Sequence, residues 1–345
     1  MQRRKAFGPI IATAALVLAT LTVPLAVRAE GPAPATAVPE AAVDLIAVVD
    51  QGPRGNGYDG QKIQFLKRDA DWRTDAAAAW TLDIPGEYGW GHVTDVKTRI
   101  APNGDQVVLV SAGGGMVGAF TYPGGDLVWS ADTRRSGCGK EHNPHSIELI
   151  PRVPGVRDGG QYVVADSKGY VIYYPVGVKK PKCKKVASAH GVLYSDGRLW
   201  AVGYNGLFQY DILVDDLRKV GRMLTVKGFQ GGHDLAPDRG SARHGFWVTD
   251  HNRLYTFDKY AGDSRFKVVR GPKGGSCVKS VGDRGGEVAE TRPCRTNGMG
   301  APAQRCQEKY QTHVVDFYTG NARAERKLRP AGCFYKARPV VWDYY

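Results

Sequence analysis

The stretch HGVLYSDGRLWAVGYNGLFQYDILV (190–214) decides the reading of the fold, because its pattern recurs along the chain. It holds a short strand opening on His190, an apolar second strand within LWAVGYNG (199–206), a Gly/Asn turn, and an aromatic third strand, LFQYDILV. Turn residues between runs of alternating aromatic and β-branched side chains are a hairpin signature. The second-strand pattern returns in LIAVVDQG (45–52), VVLVSAGG (107–114), YVVADSKG (162–169) and FWVTDHNR (246–253), and more weakly in EVAETRPC (287–294). Leading strands begin at His92, His145, His190, His233 and Lys279, spaced 53, 45, 43 and 46 residues apart. Outer strands can be drawn at WTLDI (80–84), DLVWSA (126–131) and RMLTVKG (222–228).

Four strands per repeat at this period is a propeller pattern. Six repeats can be counted, but the first lacks a leading strand, and FYKARPVVW (334–342) is left over beyond the sixth. A ring closes when a strand from one terminus completes the blade begun at the other, so the missing and surplus strands explain each other. The expectation is an all-β, six-bladed propeller over residues 43–345, four antiparallel strands per blade, with a C-terminal strand closing blade 1.

Ahead of it, Arg3, Arg4 and Lys5 precede an apolar run from Phe7 to Val27, and Val27-Arg28-Ala29 offers a cleavage site. Residues 1–29 therefore read as a signal peptide and residues 30–42 (EGPAPATAVPEAA) as a linker. The expected location is secreted or extracellular. No run after residue 30 is long and apolar enough for a membrane span. The formal charge is +13, and losing the four cations of residues 1–29 leaves +9. Such a surface suits an anionic glycan or cell-wall polymer as partner. No nucleic-acid-binding motif accompanies it, and a monomer is expected.

Six cysteines in an exported chain favour disulfides. Blade equivalence suggests Cys138–Cys183, both seven residues before a leading histidine, and Cys277–Cys333, both at strand starts across the closure. Cys294–Cys306 would then remain as a local loop.

Rotational pseudosymmetry should carry the leading residues to one rim of the central channel. His92, His145, His190, His233 and Lys279 would meet there, joined by His142 of HNPHS (142–146), by Lys336 or Arg338 of the closing strand, and by Tyr88. Asp50, Asp166, Asp250 and Tyr204 should reach the same rim. Three uses are open. His92, His142, His145 and His233 could ligate a divalent metal. His145, His190 and His233 could act as acid/base catalysts, with Lys279, Lys336, Arg338 and Tyr88 holding substrate. Or the ring could bind an anion without chemistry. The plainer alternative is that each repeat histidine only bridges strands. His244, His251 and His313 read as surface or packing residues.

At HNPHSIELIP, HGVLY, GGHDLAP, CVKS and FYKAR the chain resembles a family of exported bacterial propeller proteins whose domain has no assigned activity. More loosely, the axial histidines resemble those of propeller polysaccharide lyases, such as the seven-bladed oligogalacturonate lyase with its histidine-bound metal. The first resemblance implies the fold and export but no activity, and the second is an analogy of fold and site alone. The chemistry of the rim residues points to a carbohydrate-active protein, most concretely a lyase on an acidic glycan. The alternative is a non-catalytic envelope propeller that binds anionic polymer or a partner protein.

Overall fold

A computed structural model describes residues 44–53, 60–85, 89–152, 158–240, 245–262, 265–270, 276–293, 306 and 310–345. Blade 1 holds β1 (Leu45–Asp50), β2 (Lys62–Lys67) and β3 (Ala78–Asp83); blade 2 holds β4 (Val93–Ile100), β5 (Gln106–Ala112), β6 (Met116–Thr121) and β7 (Leu127–Asp132). Blade 3 holds β8 (Pro144–Leu149), β9 (Tyr162–Asp166), β10 (Tyr170–Tyr174) and β11 (Lys182–Lys185). Blade 4 holds β12 (Gly191–Ser195), β13 (Arg198–Gly203), β14 (Gly206–Ile212) and β15 (Leu217–Leu224). Blade 5 holds β16 (Asp234–Asp238), β17 (Gly245–Thr249), β18 (Leu254–Asp258) and β19 (Phe266–Val268). Blade 6 holds β20 (Ser280–Arg284), β21 (Glu287–Thr291), β22 (Val314–Thr319) and β23 (Ala322–Leu328). The last strand, β24 (Phe334–Pro339), pairs antiparallel with β1 and becomes the inner strand of blade 1. The fold is the six-bladed propeller expected, closed as expected.

Packing shows why the sheets form a ring. Both faces of each inner strand are buried, and the apolar residues fall into clusters that each join neighbouring blades. Phe65 and Val49 meet Val96 and Val108 between blades 1 and 2; Leu109 meets Ile147 between 2 and 3; Val171 meets Val192 between 3 and 4. Trp200 packs on Phe246 between 4 and 5, Trp247 on Val281 between 5 and 6, and Val48 on Phe317 between 6 and 1. A sheet with two apolar faces needs a neighbour on each side, and only a closed ring supplies one to every blade. The outer strand of blade 4 lies earlier than the sequence reading, at Leu217–Leu224 rather than 222–228, because the turn at 213–216 is tight enough for Leu217 to pair with Ile212.

The cysteines pair differently from the expectation. Cys138–Cys183 is formed, with a Cα–Cα distance of 5.5 Å. Cys333, however, pairs with Cys306, which overturns both Cys277–Cys333 and Cys294–Cys306. Blade equivalence overlooked the long connection from β21 to β22, which returns to blade 1 where Cys306 bridges Pro53. That places Cys306 beside Cys333, whose N–H is held by Asp50 Oδ1 (3.0 Å). Cys277 is disulfide-bonded, but not to Cys333; Cys294 lies outside the described residues.

Beyond β24 the chain crosses the base of the ring. Trp342 packs on Phe65 and Tyr122, Tyr344 on Tyr194, and Tyr345 on Phe246. Three aromatic residues thereby seal three separate blade interfaces on the face opposite the histidines.

Candidate functional site

The residues at the head of the inner strands are fixed by the same backbone bond in successive blades. The N–H of His190 donates to Val202 O (3.0 Å), that of His233 to Thr249 O (2.8 Å), and that of Lys279 to Thr291 O (2.9 Å). In blade 3 a bulge between Pro144 and Ser146 sets His145 at the corresponding height. His92 is delivered by a close backbone approach. Gly113 and Gly114 donate to His92 O and Trp90 O (both 2.7 Å), and a Cβ on Gly114 would lie 2.2 Å from Gly89 O.

The imidazoles form a row along the rim. Ring centroids are 4.4 Å apart for His145 and His190, 5.0 Å for His190 and His233, and 4.6 Å for His233 and His251. His251, read from sequence as a surface or packing residue, is exposed and also belongs to this row. It lies in the bend after β17, past Asp250, so the turn following the second strand, not the head of the first, carries it to the rim. Lys279 Nζ approaches His233 Nδ1 (3.5 Å) and lies over the rings of Tyr335 (4.8 Å) and Tyr310 (5.5 Å). Among the described residues no carboxylate forms an ion pair with it. Lys279 and Tyr310 are shared by two recesses. One, of about 370 Å³, is lined by His92, Asn143, His145 and Tyr335; the other, of about 450 Å³, by His233, His251 and Val278.

Electrostatics follow from crowding cations and imidazoles in a poorly hydrated place. Burial, then the neighbouring His190 and Lys279, hold His145 well below the usual histidine value. Burial and Lys279 bring His190 down to about 3, and burial with Lys279 lowers His233 as well. Lys279 itself falls to about 7 through burial and the charge of Lys336. His145, His190 and His233 are thus neutral at pH 7. His145 Nδ1 sits 2.9 Å from Asn143 O and His190 Nδ1 2.9 Å from Ser188 O. A carbonyl only accepts, so both rings carry the proton on Nδ1 and leave Nε2 as the basic atom.

The other expected members take different places. Lys336 and Arg338 do not face a ligand. Lys336 Nζ reaches Asp234 (3.1 Å) and Asp95 (3.4 Å), and Arg338 reaches the same two carboxylates at 2.6 and 3.0 Å. Deeper in the channel, Arg99 forks onto Glu148 (2.7 Å) with Lys97 beside it (3.6 Å). These cations are spent on internal carboxylates. Asp50, Asp166 and Asp250 cap the turns that follow their strands, accepting from Gly52, Lys168 and Asn252 N–H respectively. His142 is buried and turned away onto Asp166 Oδ2 (2.8 Å). Tyr88 and His244 lie outside the described residues, and His313 is a buried packing residue.

The metal expectation does not fit this arrangement. Among the described residues no group of three or more His, Cys, Asp or Glu is placed to hold an ion. His142 faces Asp166, and the rim imidazoles run in a row rather than converging on one point.

No protein-family model and no curated protein sequence matches the chain, so the resemblance to an exported family and to lyases gains no support beyond the fold. Among solved structures the chain is similar to the Cps50 (Swd1) β-propeller domain of Myceliophteria thermophila, at 11% identity and a TM-score of 0.48, over 83% of this chain and 85% of that one.

Proposed function

We propose that this chain is an exported propeller that recognises the carboxylates of an acidic glycan at its histidine rim. The observation that carries the reading is Lys279, a cation without an ion-pair partner among the described residues, placed between two recesses and flanked by hydroxyl-bearing Tyr310 and neutral imidazoles. A carboxylate arriving there would find an ammonium whose protonated form it stabilises. Sugar hydroxyls would find imidazole Nε2 acceptors, and a pyranose ring could lie on Tyr310, which is 38% exposed.

A second reading, cleavage by β-elimination, is favoured by the Nδ1–H tautomers of His145 and His190. With the uronate carboxylate held by Lys279, His145 Nε2 would take the proton α to it. The electron pair left on carbon forms the new double bond as the glycosidic C–O bond breaks, and the departing oxygen takes a proton from Tyr310. Calorimetric titration of the purified chain with oligogalacturonate, alongside ultraviolet detection of unsaturated product, tests both. Binding that Lys279→Met weakens more than about tenfold supports recognition; unchanged affinity in that variant overturns it. Product that His145→Gln abolishes adds the elimination; binding without product removes it.

A further inference from the structure

The face opposite the rim carries a separate feature. Strands β10 and β14 start at the rim, where Tyr170 pairs with Asp166 and Gly206 with Gly203, so the connection after each turns on the base. In blades 2 and 6 the equivalent connection is YPGGD (122–126) and GN (320–321). In blade 3 it is PVGVKKP (175–181), and in blade 4 LVDD (213–216). Val176 is 64% exposed and Val214 86%, with Val178 and Leu213 also exposed. The two loops form one patch. Tyr173 Oη donates to Leu213 O (3.0 Å), and Lys184 Nζ pairs with Asp216 (2.9 Å). Lys179 and Lys180 are exposed beside these apolar tips and Lys182 is partly so, against the exposed Asp215.

Lysines on an outer strand can serve merely to prevent edge pairing, but that does not account for four exposed aliphatic side chains at adjacent loop tips. Apolar tips ringed by cations match the chemistry of an anionic bilayer, where apolar insertion and attraction to headgroups add. A soluble polyanion would use the lysines and leave the valines unexplained. We infer that the base of blades 3 and 4 docks on an anionic lipid surface, with the histidine rim facing away from it.

Flotation with phosphatidylcholine vesicles containing phosphatidylglycerol tests this. The chain should float with these vesicles, not with pure phosphatidylcholine, and raised salt should release it. Val176→Asp with Val214→Asp should cut binding more than about tenfold. Lys179→Gln and Lys180→Gln should each cut it roughly fivefold, whereas Leu127→Asp, on the exposed outer strand of blade 2, should leave it unchanged. Lys279→Met should also float normally, which separates this surface from the rim. Failure to bind the anionic vesicles overturns the inference. So does binding that survives the valine changes but not the lysine ones, which would mark a polyanion site, or binding that Leu127→Asp weakens equally.

Discussion

Two cations of the same channel, Lys279 and Lys336, are treated in opposite ways. Lys336 is buried within a net of Asp95, Asp234 and Arg338. Lys279, at the rim, touches only imidazole and aromatic rings among the described residues. Below the rim the channel resembles a folded core whose charges are cancelled internally. At the rim, charge is left for something else to cancel. The difference teaches that a polar channel is not by itself a site: the question is whether each charge already has its partner.

Glu148→Ala should show the largest effect, because it leaves Arg99 and Lys97 buried without their carboxylate. A loss of about 3–5 kcal/mol in urea unfolding is expected, while Lys279→Met should lose none. Equal losses in the two variants would erase the distinction between interior and rim.

Acid titration separates the two regions by pH window. His190, at about 3 when folded, stays neutral while the unfolded chain takes up protons below about 6.5. The unfolded state then binds more protons, so stability falls as pH drops from about 6.5 toward 3. Asp95 and Asp234 are held below the usual carboxylate value chiefly by Arg338 and Lys336, against the opposing effect of burial. Their contribution is lost only at lower pH, below about 3.9. His190→Gln should reduce the slope of the upper window, which lowered His145 and His233 share, and leave the lower window unchanged. On the alkaline side, Lys279 at about 7 makes stability rise with pH from there to about 10.4. Lys97, brought down to about 8 by burial, shares the upper part of that slope, so Lys279→Met should lessen it and remove the part between about 7 and about 8. Thermal melts across pH would reveal either result; an unchanged profile in both variants would contradict the neutral rim.

The smallest effect belongs to the base. Tyr345→Phe removes the hydroxyl that donates to Asp238 O (2.7 Å) and accepts from Gly245 N–H (3.0 Å). A cost of about 1 kcal/mol is expected, with glycan affinity at the rim unaltered. A change in that affinity would mean the two ends of the channel are coupled.

Repetition made the ring legible. A residue type recurring at one place in successive hairpins, with a strand missing at one end and spare at the other, specifies blade number and closure, because backbone pairing is local and periodic. Periodicity also located His145, His190, His233 and Lys279 at one height. It could not place His251, which sits in the turn after a second strand, or foresee that His142 turns to Asp166. Nor could it pair Cys306 with Cys333, since that contact runs through a long non-repeating connection. The sequence by itself determined the blades and which residues head their inner strands. Only the tertiary structure decided which cations are already neutralised, because Asp95, Asp234 and Glu148 meet Arg338, Lys336 and Arg99 across blades far apart in the chain. Charge compensation depends on distance in space, and distance in sequence does not report it.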